Sequence, residues 1–175
     1  MQTFRIVLTI GATILLQALL SQLDLFHGYV DLALVVTAYY GLQRAPILGM
    51  FAGAALGIGW DSVAGGILGV GGFSKTLIGY LIAVASIRLS LENPLARLAT
   101  VALASAANTV LFVGLYEVLE QSLPHAGSWQ EFGRTLGWKV VADTVAAIPI
   151  FLILDRVFSE QTAARRMAIK RRFYE

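Results

Sequence analysis

The chain has 175 residues and a net charge of +2; apolar residues make up 57% of it, charged residues 14%, and its mean hydropathy is +0.73. Soluble globular domains carry about 25% charged residues, so this composition excludes an ordinary soluble domain and predicts a polytopic membrane protein. Cysteine is absent, which excludes disulfides, thiolate metal sites and cysteine nucleophiles.

Apolar runs with few charges predict six transmembrane segments. In chain order they cover residues 6–23, 25–42, 46–60, 73–87, 98–118 and 136–158. The first lacks an A-x-A cleavage site and is expected to remain as an anchor. The second segment has the least clear limits. Its first part is expected either to span the membrane or to form a re-entrant or interfacial stretch.

These runs do not alternate apolar with polar residues as barrel strands do, so the sequence predicts an all-α membrane helix bundle. Polar connections are predicted at 61–72, 88–97 and 120–134. We expect residues 1–158 to form the transmembrane domain and residues 159–175 a basic cytoplasmic tail.

The placement of Lys and Arg predicts that both termini are cytoplasmic. With six spans, ten of the 13 basic residues fall on the inner side: Arg5, Arg44, Arg88, Arg97, Arg156, Arg165, Arg166, Lys170, Arg171 and Arg172. Shifting the topology by one span would put the basic tail outside.

Gly49, Gly53 and Gly57 recur at four-residue spacing in the third segment and therefore share one helix face. Rows of small residues let two helices approach closely in lipid. The row has two interpretations, which are packing within this chain and a seam for a partner's helix.

Four charged residues lie in or beside apolar segments, where an unpaired charge is costly. Asp61 and Lys75 flank the loop GGILGVGG and are predicted to form an ion pair that fixes it, or else to contact a ligand or partner. Lys139 and Asp143 are spaced i, i+4 and are predicted to pair along one helix face, with a proton path as the alternative.

The tail concentrates five basic residues, Arg165, Arg166, Lys170, Arg171 and Arg172. Such a segment next to a span is typical of binding to anionic membrane lipids, and an acidic cytoplasmic partner is the alternative. Its tether to the membrane argues against a nucleic acid partner.

No catalytic or metal-binding pattern is evident. His27 and His125 lie in separate predicted loops without a second ligand at metal spacing. The titratable groups do not form a pattern expected of acid–base chemistry. We therefore expect no cofactor and no metal, and a protein that is not an enzyme.

The middle of the chain resembles the rod shape-determining MreD family. The residues that carry the resemblance are Gly53 and Gly57, Asp61, Leu68-Gly69 and Gly79-Tyr80-Leu81, together with Asp31-Leu32 at the opening of the second segment. The resemblance extends over about residues 5 to 160, including an apolar last segment with Pro149 that is followed by basic residues.

This resemblance implies a multi-pass protein of the bacterial inner membrane. It also implies a non-enzymatic scaffold of the elongasome, the machinery that sets cell shape through lateral peptidoglycan synthesis. The implied partner is MreC, with MreB, RodA and a penicillin-binding transpeptidase in the same assembly. It also implies a fold similar to the substrate-binding subunits of energy-coupling-factor transporters.

A vitamin-binding subunit of such a transporter is the alternative function. That alternative requires several polar or aromatic side chains around a pocket on the outer side. The outer segments offer Tyr29, His27 and Trp129. Co-purification of a ligand would separate the two functions.

Overall fold

A computed structural model describes residues 2–22, 30–64, 67–89, 91, 93–119 and 129–158. These residues form an all-α bundle of six helices. The helices are α1 (Gln2–Leu20), α2 (Leu32–Gly41), α3 (Pro46–Ala64), α4 (Val70–Arg88), α5 (Pro94–Val118) and α6 (Trp129–Val157). The predicted fold class is confirmed at this level.

Local sequence explains where several helices begin. Pro46 and Pro94 occupy the first residues of α3 and α5, where a missing N–H costs nothing. Asn93 caps α5 by accepting a hydrogen bond from the Leu95 N–H at 3.0 Å. Gly69 precedes α4 with φ +102°, a left-handed conformation that glycine adopts without strain.

The short helix α2 lies at the centre of the bundle. All of its ten residues are buried, and the other five helices pack around it. Tyr39 and Tyr40 at its C-terminal end pack with Phe151 of α6 and with Phe158, which directly follows α6, in a cluster of aromatic rings. The core is therefore built on a helix with no lipid-facing side.

The glycine row of α3 faces α4, and this pair makes the most extensive helix contact in the bundle. A Cβ at Gly49 would meet the Gly79 carbonyl oxygen, one at Gly53 the Lys75 carbonyl oxygen, and one at Gly57 the backbone of Gly71 and Gly72. Glycine is thus required for the two backbones to touch. In the fold, this face is occupied by a helix of the same chain.

Several predicted boundaries are wrong. The connection predicted at 61–72 is mostly helical, because α3 continues to Ala64 and α4 begins at Val70. The connection predicted at 120–134 ends earlier, because α6 begins at Trp129. Charged, polar and glycine residues lower the hydropathy of both stretches without ending a helix.

Within the described residues, four helices are long and apolar enough to cross a membrane, namely α1, α3, α4 and α5. Helix α2 is apolar but only ten residues long, and the longer α6 carries more charge. Large apolar side chains such as Phe4, Phe51 and Leu103 are more than 70% exposed on the outer faces. Surfaces of this kind are compatible with lipid and costly in water.

Candidate functional site

Buried polar side chains from five helices converge at the start of α2. We call Gln17, Asp31, Lys75, Ser105 and Asp143 the Asp31 cluster. Each of the five is at most 7% exposed. Ionisable groups at membrane depth are costly unless partnered, and they often mark function. The partners of each charge therefore decide what the cluster can do.

Asp31 joins α2 to α4. Its Oδ1 accepts a hydrogen bond from the Leu34 N–H at 2.9 Å and so caps α2. Its Oδ2 lies 2.9 Å from Nζ of Lys75, which is only 2% exposed. One carboxylate thus satisfies a helix terminus and a buried ammonium together.

Asp143 joins α6 to α2 and α5. Its Oδ1 accepts the backbone N–H of Asp31 at 2.7 Å, and its Oδ2 accepts the hydroxyl of Ser105 at 2.5 Å. Asp143 is 0% exposed, so both oxygens are satisfied inside the protein.

Gln17 holds the same chain segment from α1. Its amide nitrogen donates to the Val30 carbonyl oxygen at 2.9 Å, and its amide oxygen accepts the Leu32 N–H at 2.7 Å. The backbone on both sides of Asp31 is therefore fixed by one side chain.

A second polar link lies beside the cluster. Ser74 of α4 donates its hydroxyl to Oδ1 of Asn108 in α5 at 2.7 Å, and both side chains are buried. Ser74 and Lys75 are adjacent in sequence, so α4 is tied to two neighbours at one level.

Asp61 has a different role from the one the sequence predicted. The expected ion pair between Asp61 and Lys75 is wrong, because Lys75 pairs with Asp31. Oδ2 of Asp61 instead accepts the backbone N–H groups of Gly69, Gly71 and Gly72 at 2.9, 3.0 and 3.2 Å. An anion from α3 thus caps the positive N-terminal end of α4.

Lys139 lies one turn before Asp143 in α6. The close contacts of Asp143 are with Ser105 and with the backbone of Asp31. No salt bridge within 4.0 Å joins Lys139 to Asp143 in the described part of the chain. The predicted i, i+4 ion pair is therefore not formed.

A second charged pair lies near the C-terminal ends of α2 and α6. Arg97 forms two hydrogen bonds with the Asp155 carboxylate, at 2.7 and 3.2 Å. Its guanidinium lies 4.7 Å from the Phe151 ring centroid and 5.9 Å from that of Tyr39. This arrangement ties α5 to α6 over the buried end of α2.

The Asp31 cluster has the properties of a structural network. The acids of the cluster are satisfied by an ammonium, a hydroxyl and backbone N–H groups. Within the described residues, no group of three or more His, Cys, Asp or Glu side chains could hold a metal ion. The arrangement fixes five helices relative to one another at one level of the bundle.

Some sequence predictions fall outside the described residues. These are the basic tail residues Arg165, Arg166, Lys170, Arg171 and Arg172, together with His27, Tyr29, His125 and the side chain of Trp129. Gln17 and Ser105, by contrast, were not predicted from the sequence. Their signal was a polar side chain inside an apolar run, which alone does not identify a partner.

Asp31, Asp61, Gly53 and Gly57 are among the residues that carried the resemblance, and each lies at a contact between two helices. The family model described as rod shape-determining protein MreD matches residues 1–157. The chain belongs to the MreD family. It is therefore a membrane protein of a family that determines rod shape.

No curated protein and no solved structure matches the chain. The expected likeness in fold to energy-coupling-factor subunits stays a prediction. The MreD match and the bundle geometry are the two findings that bear on function.

Proposed function

We propose that the chain is a non-enzymatic scaffold of the bacterial cell-shape machinery, which binds MreC and helps to organise lateral peptidoglycan synthesis. The MreD family match over residues 1–157 is the observation that carries this proposal. The geometry supports it, since the buried polar groups satisfy one another and hold helices together.

We further propose six membrane crossings with both termini in the bacterial cytoplasm. The beginning of α1 lies beside the end of α6, because Arg5 donates to the Val157 carbonyl oxygen at 3.3 Å. Two ends on one side of a bundle require an even number of crossings. The basic residues near both ends favour the cytoplasmic side.

The lack of native cysteine allows a direct test of this topology. Leu68 and Leu89 lie at opposite ends of α4 and are 66% and 58% exposed. In intact cells, a membrane-impermeant thiol reagent should label Leu68→Cys and leave Leu89→Cys unlabelled until the membrane is opened. Labelling in the opposite order would overturn the proposed orientation.

Partner identity is tested by affinity purification from membranes in mild detergent. The tagged chain should recover MreC, with RodA, a penicillin-binding transpeptidase and MreB as further members of the assembly. An unrelated polytopic protein with the same tag is the control. Recovery of an ATPase pair with a coupling subunit, without MreC, would replace the scaffold by a transporter subunit.

A further inference from the structure

A groove of about 290 Å³ opens on the bundle surface between α1 and α6. Helix α1 supplies one wall, α6 the other, and Leu32 and Val36 of α2 form the floor. Thr9 and Thr13 also line it, but their hydroxyls donate to carbonyl oxygens of their own helix. The groove is therefore apolar along its length, with Arg5 at one end.

We propose that this groove binds one acyl chain of an anionic phospholipid, with the lipid phosphate beside Arg5. The groove contains no member of the Asp31 cluster and is a separate site. Two properties of the groove favour this occupant, namely the length of the groove and the positive charge at one end.

The length of the groove corresponds to one leaflet. Its wall on α1 extends from Arg5 to Leu16, which is about 16 Å at 1.5 Å per residue. The hydrocarbon core of a bilayer is about 30 Å thick, so one leaflet is about 15 Å. A chain anchored by its headgroup at Arg5 would therefore extend to the end of the groove.

The charge at the groove end favours a phosphate. Arg5 lies there next to Val157, and Arg156 precedes Val157 in the last turn of α6. Among the described residues that line the groove, none is acidic. Basic side chains at the membrane surface attract anionic lipids.

The test measures which lipid the purified full chain retains. The chain is reconstituted with equimolar phosphatidylglycerol and phosphatidylcholine of identical acyl chains, extracted in mild detergent and examined by native mass spectrometry. We expect one retained phosphatidylglycerol per chain. Ala12→Trp and Ile153→Trp, which fill the groove from opposite walls, should each lose it.

Two matched controls separate the site from general lipid contact. Leu15→Trp changes α1 at a side chain that is 68% exposed and outside the groove, and should keep the lipid. Arg5→Gln should lower the preference for phosphatidylglycerol about fivefold, while Arg88→Gln, at the exposed end of α4, should not. Circular dichroism verifies that each variant is folded.

Retention of no lipid by the unmodified chain would overturn the proposal. Equal retention by Ala12→Trp, Ile153→Trp and Leu15→Trp would do so as well, as would a second copy of the chain bound in place of lipid. If both groove-filling variants misfold, equal lipid preference of Arg5→Gln and Arg88→Gln would still reject the site.

Discussion

Nζ of Lys75 lies 2.9 Å from Oδ2 of Asp31, and this buried pair joins α4 to the N-terminal end of the central helix α2. The same aspartate donates its backbone N–H to Asp143. Removal of one charge would leave the other buried without a counterion, which costs about 3–5 kcal/mol in comparable sites.

We therefore expect Lys75→Met to destabilise the fold by about 3–5 kcal/mol. Asp31→Asn should recover part of this loss in the double variant, because Asn still caps α2 and carries no charge. Unfolding by denaturing detergent, followed by circular dichroism, measures the stability of the unmodified chain, the two single variants and the double variant. Additive effects of the two changes would show that the pair is not coupled.

The glycine row gives a second prediction. Gly53→Ala should lower stability by about 1–3 kcal/mol, because the new methyl group would meet the Lys75 carbonyl oxygen on α4. Gly53→Leu should prevent assembly of the bundle and of any complex. Thermal unfolding of the detergent-solubilised chain is the measurement.

Gly114→Ala is the matched control for this experiment. A Cβ at this exposed position on α5 meets nothing within 4 Å, so helix propensity should make the change neutral or stabilising by up to ~1 kcal/mol. If Gly53→Ala and Gly114→Ala behave alike, α3 and α4 do not pack backbone to backbone.

The capping of α4 by Asp61 gives a third prediction. Asp61→Ala should destabilise the fold by about 2 kcal/mol, because three N–H groups lose an anionic acceptor. Hydrogen exchange at Gly71 and Gly72 should accelerate, and Asp61→Asn should be intermediate.

Ser62→Ala, at the residue next to Asp61, is the matched control for this experiment. Ser62 is exposed and its hydroxyl donates to the Ile58 carbonyl oxygen within α3, so its loss should cost less than about 0.5 kcal/mol. Unchanged exchange at Gly71 and Gly72 in Asp61→Ala would contradict the capping role.

Arg97 gives a fourth prediction with a smaller effect. Arg97→Lys keeps the charge but loses the paired hydrogen bonds to Asp155 and the planar contact with Phe151. Asp155 is 42% exposed at its side chain, so we expect a loss of about 1 kcal/mol that shrinks as salt is added. A double-mutant cycle of Arg97→Lys and Phe151→Leu measures the coupling energy between the guanidinium and the ring. A coupling energy of zero would show that the ring contact does not contribute to stability.

The membrane class, the helical architecture and the family could be predicted from the sequence, because local composition and short motifs indicate each of them. It located Asp61 and Lys75 as unusual charges but paired them wrongly. Their partners depend on how the helices are placed relative to one another in the bundle. The hydropathy of individual segments does not encode this relative placement.

The Asp31 cluster was harder to predict for the same reason. Gln17, Ser105 and Asp143 lie on three different helices and meet only in the folded protein. The groove between α1 and α6 is likewise a gap between helices far apart in sequence. By contrast, the glycine row was readable because its members share one face of a single helix.

The burial of α2 has a consequence for biogenesis. This helix is about 15 Å long, half of a bilayer core, and its first turn carries an acid whose partners reside on α4 and α6. On emerging from the ribosome this acid has no counterion, because Lys75 has not yet been synthesised. Its contacts can be completed only after α4 and α6 have followed, so we expect the bundle to close late in insertion and not helix by helix.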